Sequence, residues 1–185
     1  MPRVATKRLV LDRMILSDAA ALFEYRSDPS VSSQLSWVPS SLDEVSTFIT
    51  SYDSRAFDEP DTWFQLAVRG GDSGVLVGDL GVHFLADDSN QVEIGYTIAP
   101  AQQKKGYGGE AVAGLVGHLF ETMGKHRVIA SVDPRNSPSI ALLKRVGFRQ
   151  EAHFRESLWF KGAWVDDVVF ALLRLEWEGN WCFSD

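Results

Sequence analysis

The chain has 185 residues, 45% of them hydrophobic and 23% charged, with a net charge of -7, the balance of a globular domain built around one core. The acidic balance opposes general attraction to nucleic-acid phosphates, and it suits either cationic substrates or solubility alone. No apolar run approaches the roughly 20 residues that span a bilayer, and the opening MPRVATKRLVLDR lacks the apolar middle of a secretory signal, so a cytoplasmic protein without membrane or nucleic-acid partners is expected.

Thr6 to Met14 sets Leu9 and Leu11 against charged neighbours and reads as a strand. Ser17 offers a cap for a helix from Asp18 to Arg26, with Ala21, Leu22 and Tyr25 at helical spacing, and Asp28-Pro29 ends the pattern. A loop carrying Trp37 follows. Ser41 and Glu44 have capping-box spacing for a second helix whose apolar face is Val45, Phe48 and Ile49. Trp63 to Val68, Val75 to Phe84 and Gln91 to Ile98 are strand-like and form an antiparallel meander through two polar turns. After Pro100 the period changes. Ala111, Val112, Leu115, Val116, Leu119 and Phe120 stripe a helix ending near Gly124. Arg127 to Val132 is extended, Ser139 to Val146 is helical with Gly147 as its C-cap, and two strands flank the turn at Lys161-Gly162, the second being Trp164 to Leu173. The order predicts a mixed α/β (α+β) fold, one domain over 1–185 with helices packed on a largely antiparallel sheet, and no repeat or linker divides it.

The run Gln103-Lys104-Lys105-Gly106-Tyr107-Gly108-Gly109-Glu110 follows a strand and opens an amphipathic helix. Such a start binds anions, because glycine lets backbone approach closely while unpaired amides and the positive end of the helix dipole face the ligand. Lys104 and Lys105 add charge. A nucleotide loop of the Gly-x-x-x-x-Gly-Lys-Ser/Thr kind is absent from the sequence.

Gln-x-x-Gly-x-Gly at Gln103, Gly106 and Gly108 resembles the pyrophosphate-binding motif of the GNAT superfamily of acetyltransferases. Asn136-Ser137-Pro138-Ser139, leading through Leu142 and Leu143 to Gly147-Phe148, is similar to a second motif of that family. Thr6 to Leu11, Trp37-Val38-Pro39 and Gly162 to Asp166 look like its RimJ/RimL-type branch. The resemblance implies a single GNAT-like domain with helices on both faces of a twisted sheet whose fourth and fifth strands splay apart. It implies acetyl-CoA as co-substrate: the main chain at Ile98 pairs with the pantetheine arm, Gln103, Lys104, Lys105, Gly106, Tyr107, Gly108 and Gly109 hold the pyrophosphate, and Asn136 and Ser139 flank the pantetheine and sulfur. The activity implied is transfer of acetyl to a primary amine, of a small molecule or a protein N-terminus. The alternative is a CoA-binding sensor without catalysis.

Direct transfer needs a neutral amine, a dipole for the oxyanion and a proton source for the thiolate. Alternation along Gln91 to Ile98 separates Glu93, Gly95 and Thr97 from Val92, Ile94, Tyr96 and Ile98. Glu93 resembles a family base, the alternative being an ion-paired strand carboxylate. The tyrosine many members carry four residues before Gly-Phe is Leu143 here, so the acid shifts to Ser139, which reads equally as a helix cap. An α-amine with pKa near ~7.8 is roughly one part in seven neutral at pH 7, whereas a lysine amine near ~10.4 is neutral in well under ~0.1%. A modest base therefore suits an α-amine acceptor.

Asp79 and His83 share a strand face and are candidates for the acceptor site, against a merely solvated face. Trp37 and Trp159 are candidate pocket walls, whereas Trp63 and Trp164 are expected in the core. Asp166 either orients a cationic amine or pairs with Arg155. His118, His126 and His153 lack ligand spacing, and Cys182 stands alone near the C-terminus, so neither metal nor disulfide is expected. The tail from Glu176 packs either on its own domain or on a second subunit in a homodimer.

Overall fold

The strands are β1 (Val4–Ala5), β2 (Leu9–Arg13), β3 (Thr62–Gly70), β4 (Leu76–Phe84), β5 (Gln91–Ile98), β6 (Arg127–Val132), β7 (Arg149–Phe160) and β8 (Ala163–Leu173). They form one sheet in the order β1-β2-β3-β4-β5-β6-β8-β7, antiparallel throughout except where β5 meets β6. The helices are α1 (Ala19–Ser27), α2 (Pro29–Ser32), α3 (Leu42–Thr50), α4 (Tyr107–Gly117), α5 (Ser137–Val146) and α6 (Arg174–Asn180). This is a computed structural model, and it describes residues 3–52, 56–86 and 88–180, so Cys182 lies outside the described residues. No helix among these is long and apolar enough to cross a membrane.

Strand alternation sorts the side chains onto two faces. Phe64, Leu66 and Val68 of β3 pack with Leu80 and Val82 of β4, the α4 stripe Ala111, Val112, Leu115 and Val116, and Leu143 of α5. Ala67, between them in sequence, faces the other way against Leu22 and Tyr25 of α1 and Val45 and Ile49 of α3. Helices therefore cover both faces, as expected.

Several boundaries differ from the sequence reading, each for a local reason. The strand expected from Thr6 is β2 and begins only at Leu9, because the Thr6 hydroxyl donates to the Leu9 carbonyl and accepts the Leu9 amide in a turn, with the short β1 before it. Ser17 caps nothing: it sits inside a 3-10 turn (Leu16–Asp18), where Asp18 accepts the Ile15 amide at 2.8 Å and a bidentate pair from Arg69. Asp28-Pro29 ends α1 at Ser27 as expected, but Pro29 also starts the short α2, its missing N–H being harmless in a first turn, and Asp28 caps α2 by accepting the Ser30 amide. The helical stripe does end near Gly124 as expected, its last part beyond Gly117 being a π-helical turn (His118–Thr122). In α6, Trp177 is buried against Phe120 and donates to Glu121, so the described part of the tail packs on its own domain.

Trp63 and Trp164 are corrections, at 41% and 58% exposed. Trp63 falls on the face opposite Phe64 and stacks flat on His83, centroids 4.8 Å apart, while Trp164 meets Trp159 edge-on at 5.4 Å near the β7–β8 turn.

Between α1 and the sheet lies a charged cluster. Asp79 is fully buried; its carboxylate accepts from Arg26 at 2.5 Å, from the Tyr25 phenol and from Gln65. Burial, with Asp79 reinforcing it, pushes the Tyr25 phenol well above its ordinary value, so the phenol remains a donor. Removing one member of such a pair strands the other charge away from water, a loss of about 3–5 kcal/mol. Urea denaturation should accordingly show Asp79→Asn destabilised by about 3 kcal/mol, with Arg26→Met added to it restoring much of the loss.

Candidate functional site

The centre of the sheet is split. β5 and β6 pair only through Gln91↔Arg127, Val92↔Val128 and Glu93↔Ile129. Beyond that point β5 stays bonded to β4 as far as Ile98, and β6 stays bonded to β8 as far as Val132. Two strand edges thus diverge and leave backbone from Ile94 to Ile98 and from Ala130 to Val132 without a ladder between them. An extended chain fits such an opening by strand addition.

At the wide end of the split, α4 begins. Gly106 is its N-cap at φ 82, a left-handed conformation that glycine takes at no steric cost, after Lys104 at φ 61. A Cβ on Gly109 would meet nothing within 4 Å, whereas one on Gly108 would come 2.8 Å from Leu142. Gly109 therefore opens outward, and Gly108 permits close packing of α4 on α5. The first α4 amides have no intrahelical acceptor and carry the positive end of the dipole. The carboxylate in this turn does not oppose an anion, because Glu110 is turned away to accept from Thr6 Oγ1 at 2.7 Å, the Arg8 amide at 2.7 Å and Arg8 Nε at 2.6 Å. Burial alone would raise the Glu110 carboxyl, but these bonds outweigh it and hold it below its ordinary value. Arg8 also donates to the Lys105 carbonyl and lies over the Tyr107 ring. The donor set of free amides, Lys104, Lys105 and Arg8 fits a pyrophosphate. Gln103 is occupied within the protein, its amide donating to the Ile98 carbonyl at 3.0 Å, and Lys105 bonds Gln102.

Opposite α4, Asn136 caps α5 by accepting the Ser139 amide at 3.2 Å. Ser139 does not cap the helix. Its Oγ lies 2.7 Å from the Tyr96 hydroxyl, which reaches across from β5. Leu143, where the resemblance puts a tyrosine, is fully buried in the core.

On the other sheet face, Glu93 stands directly across from His83, with Oε2 3.5 Å from Nδ1, and His83 Nε2 is 3.9 Å from the exposed Asp61. Glu93 keeps 27% side-chain exposure. Beside it Gly95 pairs with Gly81, and a Cβ on Gly95 would meet nothing within 4 Å. The floor next to Glu93 is bare. The sequence placed Asp79 on this face with His83, and the face is right, but Asp79 is covered and its charge is balanced by Arg26, so it reaches no ligand. Arg26 in turn lies 5.2 Å under the Trp37 ring, which stacks on Phe48 and donates to Glu44. Trp37 thus stands over the Asp79 cluster, half-buried. Trp159 is 59% exposed and joins Trp164, with no recorded contact to Trp37 or Glu93 among the described residues. Lys161 at that hairpin turn donates to the Ser32 carbonyl at the end of α2. Asp166 pairs with His153 at 2.7 Å and accepts the Glu156 amide, rather than bonding Arg155. Those bonds hold its carboxyl low. No group of three or more His, Cys, Asp or Glu among the described residues is placed to hold a metal.

Three contributors escaped the sequence reading: the Arg8–Glu110 clamp, the Tyr25–Arg26–Asp79–Gln65 cluster and Tyr96. For Tyr96 a signal existed, since it is the one hydroxyl on the Val92, Ile94, Ile98 face.

Residues 8–149 match the family model of the acetyltransferase (GNAT) domain. The chain is 30% identical to the uncharacterized N-acetyltransferase p20 of Bacillus licheniformis, over 97% of this chain and all of that one. It is 34% identical to the [ribosomal protein uS5]-alanine N-acetyltransferase of Escherichia coli over 45% of this chain and 43% of the other. Among solved structures, a GNAT-family acetyltransferase from Bacillus anthracis superposes with a TM-score of 0.85 at 24% identity, covering 94% of this chain and 99% of that one. The split sheet, the glycine-opened helix and these likenesses together make the chain a member of the GNAT family, an N-acetyltransferase that moves acetyl from acetyl-CoA to an amine.

Proposed function

We propose that the acceptor is an α-amine, of a protein N-terminus or an amino acid, received over Gly95 beside Glu93. The observation that carries this reading is the bare glycine floor next to an accessible carboxylate, at the point where β5 and β6 part. The likeness to an enzyme named for the alanine of ribosomal protein uS5 supports it. So does magnitude: at pH 7 freeing an α-amine of its proton costs about 1 kcal/mol, against about 4 to 5 for lysine, and one partly exposed glutamate meets the smaller demand.

In this reading the whole of 1–185 is one catalytic unit. The α4 amides, Lys104, Lys105 and Arg8 hold the pyrophosphate, and the parted edge of β5 up to Ile98 takes the pantetheine arm. Acetyl-CoA supplies an activated acetyl thioester when bound. Glu93, directly or through a water, takes the proton from the amine, and an amide on the free edge of β5 faces the oxyanion. Ser139 donates to the sulfur. His83 holds Glu93 from one side while Trp37 walls the pocket. Asp79 acts beneath the surface as the support for Arg26 and Trp37, not as a contact to the amine, and Trp159 belongs to the exposed hairpin rather than to the pocket wall.

A panel of amines incubated with acetyl-CoA, scored by release of free CoA, should favour N-terminal peptides or amino acids over lysine side chains and polyamines. Preference for a polyamine would refute the α-amine assignment. Glu93→Gln should lower kcat/KM about 100-fold, within the range for loss of a general base. Filling the floor with Gly95→Val should raise KM for the amine at least about 10-fold while leaving acetyl-CoA affinity intact, about 1.4 kcal/mol against the acceptor alone. Arg8→Met, which frees Glu110 to face the anion, should weaken CoA binding in calorimetry by about 10-fold or more.

A further inference from the structure

No phenol reaches the acid position from α5, since Leu143 is packed in the core. One arrives from the opposite wall of the split. Tyr96 on β5 brings its hydroxyl to 2.7 Å from Ser139 Oγ and to 3.3 Å from the Ser139 carbonyl oxygen. The first distance is that of a well-formed O–H···O bond, and the second lies beyond the usual range. Either oxygen can donate in this bond. A phenol is far more acidic than an aliphatic alcohol, which favours the arrangement in which the phenol donates and the serine oxygen accepts. The Ser139 amide is already taken by Asn136, and among the described residues Ser139 Oγ has no hydrogen-bond partner besides Tyr96. In that arrangement the serine hydrogen is left for a third group, and a hydroxyl that accepts one hydrogen bond donates the next more strongly. Burial pushes the Tyr96 phenol up to about 12, so it keeps its proton across the working range.

We propose that Tyr96 is a positioning residue for acetyl transfer, one that holds Ser139 with its hydroxyl hydrogen directed at the departing sulfur. The inference rests on the reading of Ser139 given above. As the amine lone pair forms the new nitrogen–carbon bond, the carbon–sulfur bond breaks and its electron pair passes to sulfur. Glu93 keeps the proton lost by nitrogen. Ser139 donates a hydrogen bond to the sulfur, which takes its own proton later from water, and Tyr96 retains its proton throughout. Because Tyr96 lies on β5 and Ser139 on α5, the same bond fixes the distance between the two walls of the split.

The test uses the full-length protein with Tyr96→Phe, Ser139→Ala and the double variant, and two readouts. The first is independent of turnover: the pH at which bound CoA becomes thiolate, followed by its ultraviolet absorbance. A directed donor favours the charged form, so Tyr96→Phe and Ser139→Ala should each raise that midpoint by about one pH unit. In the second, Tyr96→Phe should lower kcat about 10-fold with KM for acetyl-CoA within about twofold, the size of one hydrogen bond to a developing charge. The double variant should be no slower than Ser139→Ala alone. A fluorinated tyrosine at position 96 keeps the shape and strengthens the donor. It should preserve or raise kcat, and it decides the matter should Tyr96→Phe not fold. Wild-type behaviour of Tyr96→Phe in both readouts, full additivity in the double variant, or a drop in kcat with the fluorinated residue would overturn the proposal. If Ser139→Ala is without effect, the serine assignment itself falls; if it slows transfer and Tyr96→Phe does not, the role of Tyr96 alone is refuted.

Discussion

The site depends on a parting of strands. Three residue pairs join β5 to β6, and after Glu93 and Ile129 each strand follows its own neighbour, β4 on one side and β8 on the other. Unpaired strand backbone is costly when hidden from water, so such edges persist where a ligand or solvent completes them. The groups proposed to bind CoA and to assist transfer gather at this opening. The α4 amides stand at its wide end, the start of α5 with Asn136 and Ser139 on one wall, Tyr96 on the other, and Glu93 at the vertex with its side chain on the far face. Close packing of α4 on α5, where Gly108 leaves room for Leu142, draws the two helix starts toward the same space.

Charge is sorted with equal economy in a chain of net charge -7. Acidic groups near the anion site are turned inward: Glu110 onto Thr6 and Arg8. Asp12 and Asp18 are gathered by Arg69, and Asp79 is gathered by Arg26. What stays accessible at the vertex is Glu93, next to His83 and Asp61. In the proposed reading, an acidic protein thus offers positive backbone ends and cations for a pyrophosphate, and a carboxylate for an amine, on opposite sides of one sheet.

The features set by local pattern were legible from sequence. Gln91–Ile98 and Arg127–Val132 have the limits that alternation gives, and the first motif opens α4 while the second spans α5 from its Asn136 cap to Gly147 at its end. The faces of Glu93 and Tyr96 follow from alternation too. What escaped is long-range. Thr6 and Arg8 meet Glu110 across about half the chain, and Asp79 meets Tyr25 and Arg26 through the packing of α1 on β4, contacts that no spacing encodes. A strand aspartate opposite an apolar face reads as solvated until a helix covers it. Trp63 and Trp164 read as core because they are large and apolar, yet Trp63 lies on the site face, where His83 is its stacking partner.

The central claim is that the parted edge of β5 and the first amides of α4 form the acetyl-CoA slot. Amide hydrogen exchange with and without saturating CoA tests it most directly, since it reads these backbone groups themselves. Slowed exchange concentrated in residues 94–98 and 107–109 is the result the account predicts. Saturable binding that leaves both segments unchanged, or that protects only the β7–β8 hairpin, would contradict it.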